Sequence, residues 1–110
     1  MLHLNAKNFD ETLSSIETPV LVDFFATWCG PCKMMTPVLE KFEAANAGKV
    51  QVAKVDIDES MELAERYGIQ SVPTLDIFSA GKPVKGICGA VPQQYLQEML
   101  NGVLNKKHAE

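Results

Sequence analysis

The sequence lacks long apolar runs, an excess of basic residues and a cysteine-rich pattern, and each absence excludes a class of protein. No stretch approaches the roughly 18 apolar residues of a membrane span. Lys and Arg number 10 against 14 Asp and Glu, which gives a net charge of −4. Nucleic acids and anionic membranes are therefore poor partners. Three cysteines are too few, and odd in number, for a disulfide scaffold.

The start of the chain, Met1 to Asn5, lacks the basic residues and apolar stretch of a secretory signal. We therefore expect a cytoplasmic protein, unless the sequence is a processed mature form. The 110 residues are 46% apolar and 22% charged, which is typical of a globular protein. A length of 110 residues is typical of one domain, so we expect a single domain over residues 1–110. We also expect a monomer.

Apolar periodicity predicts the element order β-α-β-α-β-α-β-β-α. Strands are predicted at 2–4, 20–25, 50–56, 74–78 and 84–88, and helices at 8–16, after residue 30, at 60–67 and after residue 91. Strands that alternate with helices favour parallel pairing, whereas the final hairpin must be antiparallel. The prediction is an α/β fold with a mixed central sheet and helices on both faces.

Two of the predicted helices show an apolar stripe. The buried side of the second helix is predicted to consist of Met34, Met35, Val38, Leu39 and Phe42. That of the last helix is predicted to consist of Tyr95, Leu96, Met99, Leu100, Val103 and Leu104. We expect the methionines to fill the core rather than to form a binding surface.

The most informative stretch is Trp28-Cys29-Gly30-Pro31-Cys32-Lys33. If Pro31 lies in the first turn of a helix, both sulfurs share one helix face, and the Cα atoms are about 5–6 Å apart, within reach of a disulfide. Cys29 would stand at the helix N-terminus, where unpaired amides and the helix dipole favour a thiolate. We expect Cys29 to be the nucleophile and Cys32, more buried, to be the resolving thiol.

The residues between the cysteines indicate the direction of the redox chemistry. Gly30 leaves room at the sulfur, and Pro31 removes one amide donor beside it. The thiolate should therefore be only moderately stabilised, which makes the dithiol the better reductant. The pair is predicted to reduce other disulfides rather than to form them.

A zinc site is the alternative interpretation of two cysteines at this spacing. Zinc usually takes four ligands, commonly from a second pair. Here the other candidates are Cys88, His3 and His108, which are scattered along the chain. We therefore expect no metal.

The motif Trp28–Lys33 resembles the active site of the thioredoxin family. Val22-Asp23-Phe24 before it and Val72-Pro73-Thr74 after it resemble two further signatures of that family. The likeness extends in order and spacing from about Leu4 to Leu100. It implies the thioredoxin fold, with a mixed five-stranded sheet, and a protein-disulfide reductase that binds no cofactor. Its partners would be disulfide-containing proteins and thioredoxin reductase, which uses NADPH.

The resemblance also implies roles for individual residues. Asp23 would be the buried acid that helps to deprotonate Cys32, Lys54 would be the lysine near that acid, and Pro73 would be the cis-proline that faces the disulfide. The apolar groove that receives substrate would consist of Trp28, Gly30, Pro31, Ile57, Val72, Gly89 and Ala90.

Three of these residues also have ordinary structural interpretations. Asp23 interrupts an apolar strand, so it is either a buried acid with a raised pKa or an acid satisfied by hydroxyls at a sheet edge. Lys54 is equally compatible with a lysine that extends to solvent from an edge strand. Pro73 could simply mark the start of a strand, since only about 5–6% of X-Pro bonds are cis.

Cys88 departs from the family pattern, since it stands where an apolar residue is usual. We interpret it as a small buried apolar residue, and the alternative is a third redox thiol that becomes glutathionylated or dimerises the protein. A second function class is a thioredoxin-like binding module or subunit that does not need redox turnover. The cysteine pair, Asp23 and Trp28 argue against that class.

Overall fold

The computed structural model describes the backbone of residues 1–109 and the side chains of residues 1–106. Residue 110, the last of the predicted domain, lies outside the described residues. The strands are β1 (Leu2–Leu4), β2 (Val20–Phe25), β3 (Gln51–Asp56), β4 (Thr74–Ser79) and β5 (Lys82–Cys88). The helices are α1 (Phe9–Ser15), α2 (Gly30–Ala45), α3 (Met61–Arg66) and α4 (Gln93–Ala109). The predicted element order is confirmed.

The strands form one mixed sheet in the order β1-β3-β2-β4-β5. β3 pairs in parallel with β1 and β2, whereas β4 is antiparallel to β2 and to β5. The central strand β2 is covered on both faces, which explains its nearly continuous apolar sequence. The predicted fold class is confirmed.

Each face of the sheet has its own core. The face under α2 and α4 is filled by Leu21, Val52, Leu75 and Ile77 of the sheet with Met35, Leu39, Phe42, Leu96 and Leu100 of the helices. The face under α1 and α3 is filled by Val22, Phe24, Val55 and Phe78 with Phe9, Leu13 and Leu63. Because side chains alternate along a strand, Asp23 lies on the same face as Leu21, under α2.

Two predicted core residues are exposed. Met34 is 70% exposed and Tyr95 is 40% exposed, so their assignment to the buried stripes was wrong. The stripe of α2 is centred on Met35, Leu39 and Phe42, and Met34 lies about 100° around the helix from Met35. Tyr95 is displaced in the same way from Leu96.

The hairpin between β4 and β5 has a short loop, and β5 begins at Lys82, two residues earlier than predicted. Ser79 pairs with Lys82, which leaves Ala80 and Gly81 as a two-residue loop. Both have positive φ, 52° for Ala80 and 78° for Gly81, which is the type I′ geometry that suits the twist of a hairpin. A register shift between Ile77 and Phe78 accommodates the extra residue of β5.

Over residues 1–109, no helix is both long enough and apolar enough to cross a membrane.

Candidate active site

The cysteine pair lies where the chain leaves β2 and enters α2. Cys29 is the N-cap residue of α2, and Pro31 lies in the first turn, as predicted. The backbone N–H of Cys32 donates to Cys29 Sγ at 3.1 Å. An amide donor and the positive end of the helix dipole both stabilise negative charge on this sulfur. The local geometry therefore favours a thiolate at Cys29.

The two sulfurs form a disulfide, with the Cα atoms 5.3 Å apart, which confirms the separation expected from the spacing. Both cysteines are buried, at 4% exposure for Cys29 and 2% for Cys32. Cys32 was expected to be more buried than Cys29, but in the disulfide form the two differ little in exposure.

The loop before β4 lies against Cys29. The Val72–Pro73 peptide bond is cis. The Val72 carbonyl oxygen lies 3.7 Å from Cys29 Sγ, and Val72 and Ile57 pack against a small cluster formed by Ala26 and the two cysteines. Backbone carbonyls and apolar side chains thus line the approach to the sulfur.

Four further residues were predicted to line the groove: Gly30, Pro31, Gly89 and Ala90. The backbone N–H of Gly89 donates to the Pro73 carbonyl at 2.8 Å, which joins the end of β5 to the cis-proline. Ala90 follows Gly89 and is exposed. Gly30 and Pro31 are exposed at the start of α2. The structure thus brings Pro73 and Gly89 together, with Val72 beside Cys29.

Trp28 is 68% exposed, as expected for a contact residue beside the sulfur. Its indole Nε1 donates to Asp58 Oδ2 at 2.9 Å. Asp56 Oδ1 in turn accepts from the backbone N–H of Asp58 at 2.9 Å. The sequence analysis did not identify Asp58. Thirty positions separate it from Trp28, and the only local signal was its acidic neighbourhood.

Asp23 is fully buried on the central strand. Among the described residues, neither carboxylate oxygen has a hydrogen-bond partner. Burial raises the pKa of Asp23 to about 6, an effect that the charge of Lys54 partly offsets. The alternative of a sheet-edge acid satisfied by hydroxyls is wrong, because β2 is an interior strand. A carboxyl with this pKa can exchange protons near neutral pH.

Lys54 stands beside Asp23 in the parallel register of β2 and β3. It is half-buried, with Nζ 3.5 Å from Thr36 Oγ1 and 4.5 Å from the centre of the Phe25 ring. β3 lies between β1 and β2, so the interpretation of Lys54 as an edge lysine is wrong. The ammonium lies over an aromatic face on the side of the sheet that Asp23 occupies.

Cys88 is exposed, so its interpretation as a buried apolar residue is wrong. It lies at the end of β5, an edge strand, where only one neighbouring strand covers the backbone. Its Sγ is 3.6 Å from Thr74 Oγ1. The alternative role as a third redox thiol stays a prediction.

Within residues 1–106, no three His, Cys, Asp or Glu side chains converge as metal ligands. The chemistry that the described arrangement supports is thiol–disulfide exchange. It combines a sulfur at a helix N-terminus, a second sulfur three residues later and a buried carboxyl on the face of the sheet that α2 covers.

Comparison with known proteins agrees with this geometry. The Thioredoxin family model matches residues 1–102. Thioredoxin of Alicyclobacillus acidocaldarius is 48% identical over 101 residues, which cover 92% of this chain and 95% of that protein. Thioredoxin of Synechocystis sp. is 45% identical over 97 residues, 88% of this chain and 91% of that protein. A chloroplastic M-type thioredoxin of Zea mays is 43% identical over 95 residues, 86% of this chain but 57% of that protein. Shared sequence over nearly the whole chain, together with the cysteine pair at the start of α2, places this protein in the thioredoxin family of thiol–disulfide oxidoreductases.

Proposed function

We propose that this protein-disulfide reductase works through Cys29 as the nucleophile and Cys32 as the resolving thiol. The main support for these two roles is a hydrogen bond at the N-terminus of α2, in which the backbone N–H of Cys32 donates to Cys29 Sγ. A hydrogen bond and a helix dipole both favour the anion at Cys29, whereas Cys32 lies one turn inside the helix.

In the first exchange, the Cys29 thiolate attacks one sulfur of a substrate disulfide. A bond forms between Cys29 and that sulfur while the substrate S–S bond breaks. The other substrate sulfur leaves with the electron pair as a thiolate and takes a proton from solvent. The product is a mixed disulfide between the chain and its substrate.

In the second exchange, Asp23 serves as proton acceptor for Cys32. The Cys32 thiol transfers its proton to the Asp23 carboxylate, directly or through water, and the resulting thiolate attacks Cys29 Sγ. The Cys29–Cys32 bond forms, the mixed disulfide breaks, and the second substrate sulfur leaves as a thiolate. Two electrons have passed from the chain to the substrate. Lys54 supports this step because its charge lowers the pKa of Asp23 and so keeps part of it ionised at neutral pH.

Substrate would bind in the groove around Cys29 that Trp28, Gly30, Pro31, Ile57, Val72, Gly89 and Ala90 form, beside cis-Pro73. The Val72 carbonyl oxygen lies 3.7 Å from Cys29 Sγ. It could therefore accept a hydrogen bond from a backbone N–H of an extended substrate segment next to the attacked sulfur. Backbone and apolar contacts of this kind accept many sequences, so we expect a broad set of disulfide-containing proteins.

The oxidised pair would be returned to the dithiol by thioredoxin reductase, which draws electrons from NADPH. The chain itself would hold no cofactor and act as a monomer and a single domain in the cytoplasm.

The direct test is reduction of insulin by the purified chain with thioredoxin reductase and NADPH. We expect catalytic turnover for the wild type and none for Cys29→Ser. Cys32→Ser should stop at the mixed disulfide and trap its substrates. A chain that binds partners equally well with Cys29→Ser, and does not reduce insulin, would instead be a binding module or subunit.

A further inference from the structure

Two large apolar side chains remain exposed on the side of the active site that faces α3. Trp28 is 68% exposed, and Met61, the first residue of α3, is 63% exposed. The hydrogen bond from Trp28 to Asp58 holds the indole against the loop that leads into Met61. Exposed apolar surface near a reactive bond is typical of a contact surface. Trp28 directly precedes Cys29, and Ile57, next to Asp58, packs against the cysteine cluster.

The segment that contains Asp58 and Met61 is strongly acidic. The segment from Asp56 to Glu65 contains five Asp and Glu residues and no Lys, Arg or His. Among side chains described by the structure, its ion pairing is limited to Glu62 and Arg66 at 3.9 Å. Arg66 is also paired with Asp10 at 2.7 Å, so it offsets little of this charge. A partner of positive charge is the one that complements the segment.

We propose that Trp28, Asp58, Met61 and Glu62 form an acidic shoulder that selects substrate segments with Lys or Arg next to the attacked cysteine. The aliphatic part of such a side chain can pack along Trp28 and Met61, while its charged end reaches Asp58 or Glu62. The indole face attracts the same cation. This inference rests on the proposed function, since it names the substrate class of the same site.

The acidic shoulder acts on encounter and on binding of the substrate, not on the exchange of sulfurs. Attraction between opposite charges raises the association rate, and an acidic substrate segment at this place is repelled. Both effects weaken as salt screens exposed charges. The selectivity is therefore expected in kcat/KM and in its salt dependence.

The test uses three peptides of one sequence with a single internal disulfide and with Lys, Gln or Glu next to each cysteine. The reduced full-length chain is mixed with each peptide at low salt, and the rate of peptide reduction is measured. We expect the Lys peptide to react about threefold to tenfold faster than the Gln peptide, and the Glu peptide to react more slowly than either.

The variant Asp58→Asn with Glu62→Gln removes two charges and keeps an oxygen that can accept from the Trp28 indole. It should bring the Lys-to-Gln rate ratio close to one. The matched control is Glu17→Gln with Glu98→Gln. It removes two exposed carboxylates, one from the loop before β2 and one from α4, which covers the face of the sheet opposite α3. The control should keep the wild-type ratio.

Equal rates of the wild type on all three peptides would overturn the acidic shoulder. So would an unchanged Lys-to-Gln rate ratio in the Asp58→Asn, Glu62→Gln variant. Both results would leave the reductase assignment intact. A chain that reduces none of the peptides would overturn both. Loss of the Lys preference at high salt in the wild type, with the Gln rate unchanged, would support the proposal.

Discussion

At the scale of single residues, the environment of Asp23 decides its chemistry. A carboxylate in water has a pKa near 3.8, but Asp23 is fully buried and has no hydrogen-bond partner among the described residues. The charged form therefore loses hydration without compensation, and the pKa rises to about 6. Ionisation of Asp23 at neutral pH thus weakens the fold.

Asp23→Ala is expected to stabilise the protein and to slow release of the mixed disulfide. Because the folded pKa lies above the unfolded value, the native chain binds more protons between about pH 4 and pH 6. The free energy of unfolding of the wild type therefore falls as pH rises through this window, by about 3 kcal/mol in total for a shift of about two pKa units. Urea titrations at pH 4 and pH 8 measure the difference.

The gain from Asp23→Ala should be largest at pH 8 and should shrink toward pH 4, where wild-type Asp23 is protonated. Asp23→Asn is the control, since it keeps the size of the side chain and cannot ionise. A variant that is no more stable than the wild type at pH 8 would contradict the strong burial of this acid.

At the scale of elements, short local geometries place the functional groups. The N-terminus of α2 brings two cysteines and one amide together within four residues. The β4–β5 hairpin ends at Cys88 and Gly89, and its register carries Gly89 to the Pro73 carbonyl. The conformation of the hairpin loop is therefore relevant to the site as well as to stability.

Ala80→Gly should stabilise the hairpin. Ala80 has a φ of 52°, a left-handed conformation that costs a residue with a Cβ about 1 kcal/mol and that glycine adopts freely. The midpoint of urea unfolding should rise. The control is Ala44→Gly on the exposed face of α2, where glycine should instead cost about 1 kcal/mol. If Ala80→Gly lowered the free energy of unfolding as much as Ala44→Gly does, the backbone at Ala80 would not be strained.

Gly86→Ala should destabilise the same hairpin. Asp76 and Gly86 are paired across β4 and β5, and a Cβ at Gly86 would collide with Asp76 Oδ1. We expect a loss of about 0.5–1.5 kcal/mol, because the Asp76 side chain must rotate away from its preferred position to make room. Adding Asp76→Ala should recover most of this loss in a double-mutant cycle, whereas additive losses would show that the collision is not the cause.

At the scale of the whole molecule, the sheet divides the protein into two cores. The core under α2 and α4 supports the helix that carries Cys32. The core under α1 and α3 contains an aromatic cluster in which the Phe9 ring lies 5.6 Å from Tyr67 and 5.5 Å from Phe78. This cluster holds α1 against β4, and it supports the position of the loop and helix that include Asp58 and Met61.

Phe9→Ala should cost about 3–5 kcal/mol, because Phe9 is 1% exposed and its removal leaves a cavity between elements distant in sequence. The comparison variant is Arg66→Ala, which cuts the exposed ion pair between α3 and Asp10. It should leave the free energy of unfolding nearly unchanged, because solvent screens such a pair. Thermal and urea unfolding of both variants measure the two losses in the free energy of unfolding. A larger loss for Arg66→Ala than for Phe9→Ala would contradict the importance of the aromatic cluster.

Patterns along the chain were enough to predict the alternation of strands and helices, the cysteine pair at a helix start and the acid within an apolar strand. Each of these depends on residues within a few positions of one another, so periodicity and capping rules were sufficient. The folded arrangement was needed to show that Lys54 is on an interior strand, that Cys88, Met34 and Tyr95 are exposed, and that Asp58 accepts a hydrogen bond from Trp28. Those outcomes depend on which distant segments cover a residue, and the pattern along the chain does not contain that information.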